Sequence, residues 1–126
     1  ALWPGGHLNR AVIAQDAATG NVLMLAYMNA DAYAETLRIR RVCYYSRSRK
    51  KLWRKGEESG HVQHLKQLFY DCDNDTVLVK VDQVGNAACH EGYESCFFRE
   101  IEPGSGTSKI IADRVFDPDK IYRRKK

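Results

Sequence analysis

Residues 71–84 of this chain read DCDNDTVLVKVDQV, and this stretch decides the fold that we expect. Thr76 to Val84 alternates between apolar and polar residues, as a half-buried strand does. The valines that share one face are Val77, Val79 and Val81. Asp71 to Asp75 (DCDND) then lies where one strand gives way to the next. In an extended segment its three carboxylates would point one way and its thiol the other. Carboxylates suit Mg²⁺ and a thiolate suits zinc, so the pentapeptide predicts a site for two metals in an enzyme.

The segment before this stretch predicts a hairpin and one helix. Ala11 to Gln15 and Asn21 to Met28 are apolar-rich runs on either side of a turn that ends at Gly20. Asn29 can cap the N-terminus of a helix. An apolar stripe at helical spacing is expected from Ala30, Tyr33, Ala34 and Leu37.

The other segments favour short strands separated by loops. The predicted extended segments are Val42 to Ser46, Leu52 to Lys55, His61 to Tyr70, Tyr93 to Ile101 and Ile110 to Phe116. Together with the hairpin they predict an α+β fold with a mostly antiparallel sheet and one main helix in the N-terminal third.

Length and composition indicate one globular domain. The chain has 126 residues, 44% hydrophobic and 29% charged, which suits a single domain over residues 1–126. Its motifs lie within about residues 11–101, and about 117–126 is expected to be a flexible tail that ends in a solvated basic run, Arg123 to Lys126. No apolar run is long enough to span a membrane, and the start lacks a secretory pattern, so we expect a cytoplasmic protein.

The cysteines indicate a metal site. Cys72, Cys89 and Cys96 lie beside His or Asp, a context typical of metal binding in a reducing compartment. Three thiolates would leave the fourth position of a tetrahedral zinc open for water, as in catalytic zinc sites. The alternative is a closed structural site with Cys43 as fourth ligand, although Cys43 lies in an apolar strand and also fits a small core residue.

Basic and aromatic residues between Glu35 and Glu57 indicate a phosphate-binding surface. That interval holds nine basic residues and no acidic one. The anion-binding set that we expect is Arg47, Arg49, Lys55, Ser59 and Gly60, because Arg forks match phosphate oxygens and a Gly admits close backbone approach. A solvated basic hairpin is the alternative. Trp53 could stack on a purine or pack in the core.

Two histidines, His61 and His90, each adjoin a glycine or a cysteine in a polar stretch and are candidates for proton transfer. Each could instead be a hydrogen-bonded structural group. The residues alone do not assign which would act as the acid and which as the base.

Three motifs in this order resemble phosphoribosyl-AMP cyclohydrolase of histidine biosynthesis. They are YYSRSRKKLWRKGEESGHVQ (44–63), DCDNDTVLVKV (71–81) and ACHEGYESCFFR (88–99). The resemblance implies a hydrolase (a cyclic amidine hydrolase) that opens the adenine ring of N1-(5-phosphoribosyl)-AMP at the N1–C6 bond. The product would be the phosphoribosyl-formimino-aminoimidazole carboxamide ribotide, in the third step of the pathway.

The resemblance also implies partners and metals. It implies an intertwined homodimer with active sites at the interface, and a small nucleotide substrate rather than nucleic acid or a membrane. By similarity, Cys72 of one chain would bind one zinc per subunit with Cys89 and Cys96 of the other. Asp71, Asp73 and Asp75 would bind Mg²⁺, and the phosphate ends of the substrate would meet Arg47, Arg49 and Lys55.

Two other functions compete with this one. A nucleic-acid-binding zinc module would use the basic block from Arg38 to Lys55 and would bind with steep salt dependence. It leaves the clustered carboxylates unexplained. A different zinc hydrolase acting on purines is the third possibility, but the HxE and PCxxC pattern of cytidine-deaminase-type sites is absent.

Overall fold

A computed structural model describes residues 9–119 of the chain. The predictions for the basic run Arg123 to Lys126, and for the tail beyond residue 119, lie outside the described residues. In chain order the elements are β1 (Arg10–Asp16), β2 (Val22–Met28), α1 (Ala30–Ile39), β3 (Cys43–Ser46), β4 (Lys51–Arg54), β5 (Gln63–Tyr70), β6 (Thr76–Gln83), a short 3₁₀ helix (Val84–Asn86), β7 (Arg99–Ile101) and β8 (Ser108–Ile110).

The central feature is a four-stranded sheet in the order β2-β1-β6-β5. The β1–β2 and β5–β6 pairs are antiparallel, as hairpins require, whereas β1 and β6 pair in parallel. The predicted α+β fold with mostly antiparallel strands and one main helix is confirmed for the described residues. The extent of the domain over all 126 residues stays a prediction.

One face of this sheet carries the core. Val77, Val79 and Val81 are fully buried, as the alternation of β6 predicted. They pack with residues of β1, β2, α1 and β3, which include Val12, Leu23, Met28, Ala32 and Tyr44. The long apolar side chains therefore fix which face of the sheet the helix and the β3–β4 hairpin cover.

The other face of the sheet carries an apolar row. Strand register aligns Leu25 with Ile13, Ile13 with Leu78, and Leu78 with Phe69. Leu25 and Phe69 are nearly half exposed, while Ile13 and Leu78 are partly buried. A row of large apolar side chains across a sheet face is a feature of surfaces that bind a partner.

The helix begins where the sequence predicted but buries a different stripe. The Asn29 side chain accepts a hydrogen bond from the Ala32 amide at 2.9 Å, which confirms the N-cap. Ala32 and Thr36 are the fully buried helix residues, whereas Ala34 and Leu37 are exposed. The predicted stripe was wrong at these two positions. The Thr36 hydroxyl explains the difference, because it accepts from the Cys43 amide and donates to the Ala32 carbonyl and so satisfies its polarity inside the core.

The C-terminal third forms less strand than predicted. The segment predicted from Tyr93 to Ile101 is strand only in β7, and the one predicted from Ile110 to Phe116 is replaced by β8, which ends at Ile110. These two predictions were wrong because residues 88–98 bond locally in turns, with the Ala88 and Cys89 amides donating to the carbonyls of Glu94 and Tyr93. β7 and β8 pair with each other alone.

The N-cap makes the first prediction. Asn29→Ala should lower the free energy of unfolding by about 1 kcal/mol, because the Ala32 amide loses its acceptor. Asn29→Ser is the matched control, since a hydroxyl also caps. Urea unfolding followed by circular dichroism measures both, and equal stability of the two variants would contradict the capping role.

Candidate active site

The three aspartates of DCDND meet in the turn between β5 and β6. One ligand oxygen from each of Asp71, Asp73 and Asp75 lies within 4.8 Å of the others, and all three residues are exposed. The segment is a turn and not an extended strand, and Asn74 takes a positive φ of 61°. The expected clustering is therefore confirmed, but the alternation given as its reason was wrong.

Hydrogen bonds make the three carboxylates unequal. The Asp71 Oδ1 accepts from the amides of Asp75 and Thr76 at 3.0 and 3.2 Å, and these bonds hold the pKa of Asp71 down at about 2. The pKa of Asp73 is raised, because its neighbours Asp71 and Asp75 share its hydrogen bonds and repel its charge. Three carboxylates whose ligand oxygens lie within 4.8 Å of one another fit a hard divalent cation, which would offset their mutual repulsion.

Arg10 supports this turn, a role that no sequence pattern predicts. It is the first residue of β1, is almost fully buried, and its Nε donates to the Asn74 carbonyl at 2.8 Å. This hydrogen bond ties the start of β1 to the turn. Its position could be found only once the parallel pairing of β1 with β6 was known.

Two thiols meet at the far end of β6. The loop from Ala87 to Phe98 brings the thiols of Cys89 and Cys96 close together. The Cys96 amide donates to the Leu23 carbonyl at 2.7 Å, which ties this loop to β2. Burial, followed by the adjacent Cys89, raises the pKa of Cys96 to about 12. Two neighbouring thiols are a soft donor pair that fits zinc, and a metal would deprotonate them.

Lys55 lies beside these thiols. Its ammonium is buried and donates to the Ala88 carbonyl at 2.5 Å. Burial lowers the pKa of Lys55, while the nearby Cys96 and Cys89 oppose this shift. The lysine therefore supplies a positive charge next to a donor pair that would become negative when a metal binds.

A cleft of about 680 Å³ opens onto the thiol pair. Of the residues selected from the sequence, the cleft brings together Arg49, Trp53, Lys55, Ser59, His90 and Cys96. Lys51, Glu57 and Glu58 also line it. These three were not predicted, because no sequence pattern distinguishes a charged loop residue in a cleft from one on a solvated surface. The size and the mixed charge suit a polar substrate of nucleotide size.

His90 lines this cleft, whereas His61 is not one of its lining residues. The imidazole of His61 is in edge contact with Phe116, with ring centroids 4.8 Å apart. Burial and then the charge on Lys55 lower the pKa of His61, which favours the neutral imidazole. The His90 side chain is largely exposed and lies 3.9 Å from a Glu91 carboxylate oxygen. A neutral imidazole can accept a proton at neutral pH.

Two of the selected residues lie apart from the cleft lining. The Arg47 guanidinium stacks on the Tyr27 ring at 3.7 Å and lines a neighbouring shallow pocket. Gly60 ends the turn after β4, where its amide donates to the Gly56 carbonyl at 2.7 Å. Cys43 is buried in β3, as expected for a core residue, and belongs to no metal-competent group among residues 9–119.

The thiol and carboxylate groups lie at opposite ends of the sheet. Cys72 belongs to the turn before β6, whereas Cys89 and Cys96 follow its other end. The eight residues of β6 span about 26 Å at ~3.3 Å per residue. Cys72 therefore cannot join the thiol pair of the same protomer without large rearrangement.

The fold and the candidate site together are those expected of a small α+β metal-dependent enzyme whose cleft suits a polar substrate. A sequence model described as Phosphoribosyl-AMP cyclohydrolase matches residues 24–98. Proteins named phosphoribosyl-AMP cyclohydrolase are similar over most of the chain. The one from Desulforapulum autotrophicum is 57% identical over 88% of each chain. That from Burkholderia mallei is 55% identical over 89% of this chain and 83% of its own, and that from Rhodopseudomonas palustris (strain TIE-1) is 51% identical over 88% and 76%.

The chain belongs to the phosphoribosyl-AMP cyclohydrolase family, and the resemblance carried by the three motifs is confirmed. Among residues 9–119, no helix is long and apolar enough to cross a membrane.

The hydrogen bonds to Asp71 make a pH-dependent prediction for the metal-free protein. Its pKa falls from 3.8 to about 2 on folding, so the ionised carboxylate stabilises the folded state. That contribution is complete above pH 3.8 and is lost as the pH falls through about 2. Asp71→Asn should therefore be less stable than the wild type at pH 5, and the gap should close towards pH 2.

Thermal unfolding with a chelator present, from pH 5 to 2, measures this gap. Asp82→Asn, at an exposed position of β6, is the control for the loss of a carboxylate outside this turn. A gap for Asp71→Asn that stays constant would contradict the assignment.

Proposed function

We propose that this chain is a zinc-dependent hydrolase that opens the adenine ring of N1-(5-phosphoribosyl)-AMP at the N1–C6 bond, in histidine biosynthesis. Family membership supports the reaction. The observation that supports the metal assignment is the proximity of the Cys89 thiol to Cys96, which lines the cleft. Cys72 would be the third zinc ligand, and Asp71, Asp73 and Asp75 would hold Mg²⁺.

The reaction needs a nucleophile, a bound electrophile and proton transfer. Cys72, Cys89 and Cys96 would hold the zinc, and a zinc ion bound there would supply Lewis-acid activation of the attacking water. A ribose on N1 makes the adenine ring amidinium-like, so that C6 is electron-poor and open to attack. Breaking the N1–C6 bond then requires a proton at N1.

His61 and His90 are the groups that we propose for these proton transfers. The lowered pKa of His61 keeps its imidazole neutral near pH 7, as a general base requires. His90 lines the cleft and is exposed enough to exchange protons with solvent. Of the two, only His90 directly borders the cleft, so His61 would act through water.

The cleft residues would hold the substrate. Arg49 and Lys51 offer cations to the phosphates, and Trp53 offers a ring face for the purine. Positioning of this kind can account for several kcal/mol of barrier reduction. Lys55 is turned towards the thiols and the Ala88 carbonyl, which supports a role beside the metal more than a phosphate contact.

The separation of the two donor sets supports a homodimer. In a twofold dimer, the Cys72 turn of each protomer would meet the thiol pair of the other, and both sites would be completed at once. The apolar row formed by Leu25, Ile13, Leu78 and Phe69 offers such a partner a surface between the two ends. The geometry therefore supports active sites shared between subunits.

The nucleic-acid alternative loses support because the basic block is dispersed. Arg38 and Arg54 both bind the Glu35 carboxylate, with closest distances of 2.7 Å, and this holds the pKa of Glu35 at about 2. Arg47 stacks on Tyr27, and Lys55 is buried. These cations do not form the continuous stripe that a phosphate backbone would need.

Turnover of N1-(5-phosphoribosyl)-AMP tests the proposed function. Purified protein with Mg²⁺ should open the ring, lose activity on zinc chelation and regain it with zinc. Cys89→Ser should lose zinc and at least about a hundredfold in kcat, because one of three ligands is removed. Cys43→Ser, at a buried thiol outside the site, is the matched control. A folded, zinc-loaded wild type without turnover would overturn the proposal.

Mixing two inactive variants tests whether the site is shared. Cys72→Ser and Cys89→Ser are each expected to be inactive alone. In an equal mixture with exchanged subunits, half of the dimers are mixed and one of their two sites is intact, so about a quarter of wild-type activity should return. No recovery after verified exchange would place all the ligands within one chain. Mixing Cys89→Ser with Cys96→Ser is the control and should restore nothing.

A further inference from the structure

A chain of buried polar side chains leads from the core to His61. It begins at Tyr44, passes through Gln63 and ends at Gln83, and the first two are fully buried. Gln63 and Gln83 face each other across β5 and β6. Buried amides are costly unless every donor and acceptor is used, so the partners of each atom define what the chain does.

The hydrogen bonds run in one direction. Tyr44 Oη donates to Gln63 Oε1 at 2.6 Å, and Gln63 Nε2 donates to Gln83 Oε1 at 2.9 Å. Burial raises the pKa of Tyr44 well above its ordinary value, so its hydroxyl stays a donor. Each amide therefore has its oxygen satisfied from the Tyr44 side and its nitrogen turned away from it.

The last donor in the chain fixes the backbone on both sides of a bend. Gln83 Nε2 donates to the carbonyls of His61 at 3.0 Å and Val84 at 3.2 Å. His61 lies outside the strands, and its own amide donates to the Ser59 hydroxyl at 3.1 Å. Both backbone polar groups of His61 are thus held by side chains.

The same bend packs against the His61 ring. Gly85 has a positive φ of 77°, and a Cβ atom there would lie 2.5 Å from Cδ2 of His61. Phe116 meets the ring in an edge contact. The imidazole is therefore confined by a backbone segment whose place is set by Gln83.

We propose that Gln63 and Gln83 are positioning residues for His61, oriented by the Tyr44 hydroxyl. This inference rests on the proposed function, in which His61 transfers protons. None of the three side chains of the hydrogen-bonded chain lines the substrate cleft. They would act on the placement of the imidazole and leave substrate contacts alone.

Kinetics of Gln83→Met test the proposal. Methionine keeps the length of the side chain and removes the donor to the His61 carbonyl. We expect kcat to fall about tenfold or more, with KM within about twofold and zinc content unchanged, since a misplacement near 1 Å can cost that much. Tyr44→Phe, which removes only the orienting hydroxyl, should lower kcat in the same direction by less.

Gln15→Met is the matched control. Its amide also donates to a backbone carbonyl, that of Gly20 at 2.8 Å in the turn between β1 and β2, and not to the His61 segment. It should leave kcat unchanged. All variants are assayed below their unfolding temperatures, so that lost stability alone would not lower turnover per folded molecule.

Nuclear magnetic resonance of the imidazole gives a readout that is independent of turnover. The Hε1 resonance of His61, assigned with His61→Asn, should shift or broaden in Gln83→Met as the ring moves relative to Phe116, and stay in place in Gln15→Met. An unmoved resonance, or a moved resonance with normal kcat, would overturn the proposal. If Gln83→Met fails to fold, the same criteria apply to Tyr44→Phe. A wild type without turnover would instead count against the proposed function, and the resonance would still show whether Gln83 places the ring.

Discussion

The parallel pairing of β1 with β6 is the constraint on which the rest of the structure depends. Parallel neighbours cannot be joined by a tight turn, so the chain between Asp16 and Thr76 must cross over the sheet and return to the end where β1 begins. That crossover contains α1, the β3–β4 hairpin and β5. It also brings the aspartate turn to the start of β1, where Arg10 binds it. The buried valines of β6 pack in the core and so stabilise this pairing.

The two ends of β6 have opposite electrostatic character. The aspartate turn is exposed and acidic, and its neighbouring carboxylates compete for a proton. At the thiol end Cys89 and the positively charged Lys55 are buried, whereas Cys96 is exposed. Hard and soft donors are therefore separated by the length of a strand. This separation supports the proposal that the oxygen cluster and the thiol of DCDND serve different ions.

Much of the fold was predictable, because alternation and capping are local signals. The valine alternation of β6, the first hairpin and the Asn29 cap all follow from residues within a few positions of one another. The misplaced helix stripe shows the limit, since Thr36 is buried through bonds to β3 that no helical period reveals. The turns of residues 88–98 were missed for a related reason. Their amides pair with nearby carbonyls instead of a neighbouring strand.

The candidate site was also predictable only in part. Residue types and spacing indicated the candidate metal-ligating groups, because few side chains can ligate a metal. The position of Lys55 against the Ala88 carbonyl and that of Arg10 against Asn74 depend on contacts 33 and 64 residues apart in sequence. Long-range contacts of this kind arise from topology. The sequence therefore predicts the charge of a basic residue in a motif, but not the group that this residue contacts in the fold.

The loop after β6 contains two glycines that limit how this protein can evolve. A Cβ atom at Gly85 would strike the His61 ring, and one at Gly92 would lie 2.4 Å from the Phe116 carbonyl oxygen. One glycine thus lies against the His61 ring and the other against the Phe116 backbone, and both have positive φ. Single substitutions at these two positions are therefore disfavoured, even though neither glycine contributes a functional group. Homologous chains can vary the exposed turns around them, whereas a change at either glycine requires a second change in the residues it touches.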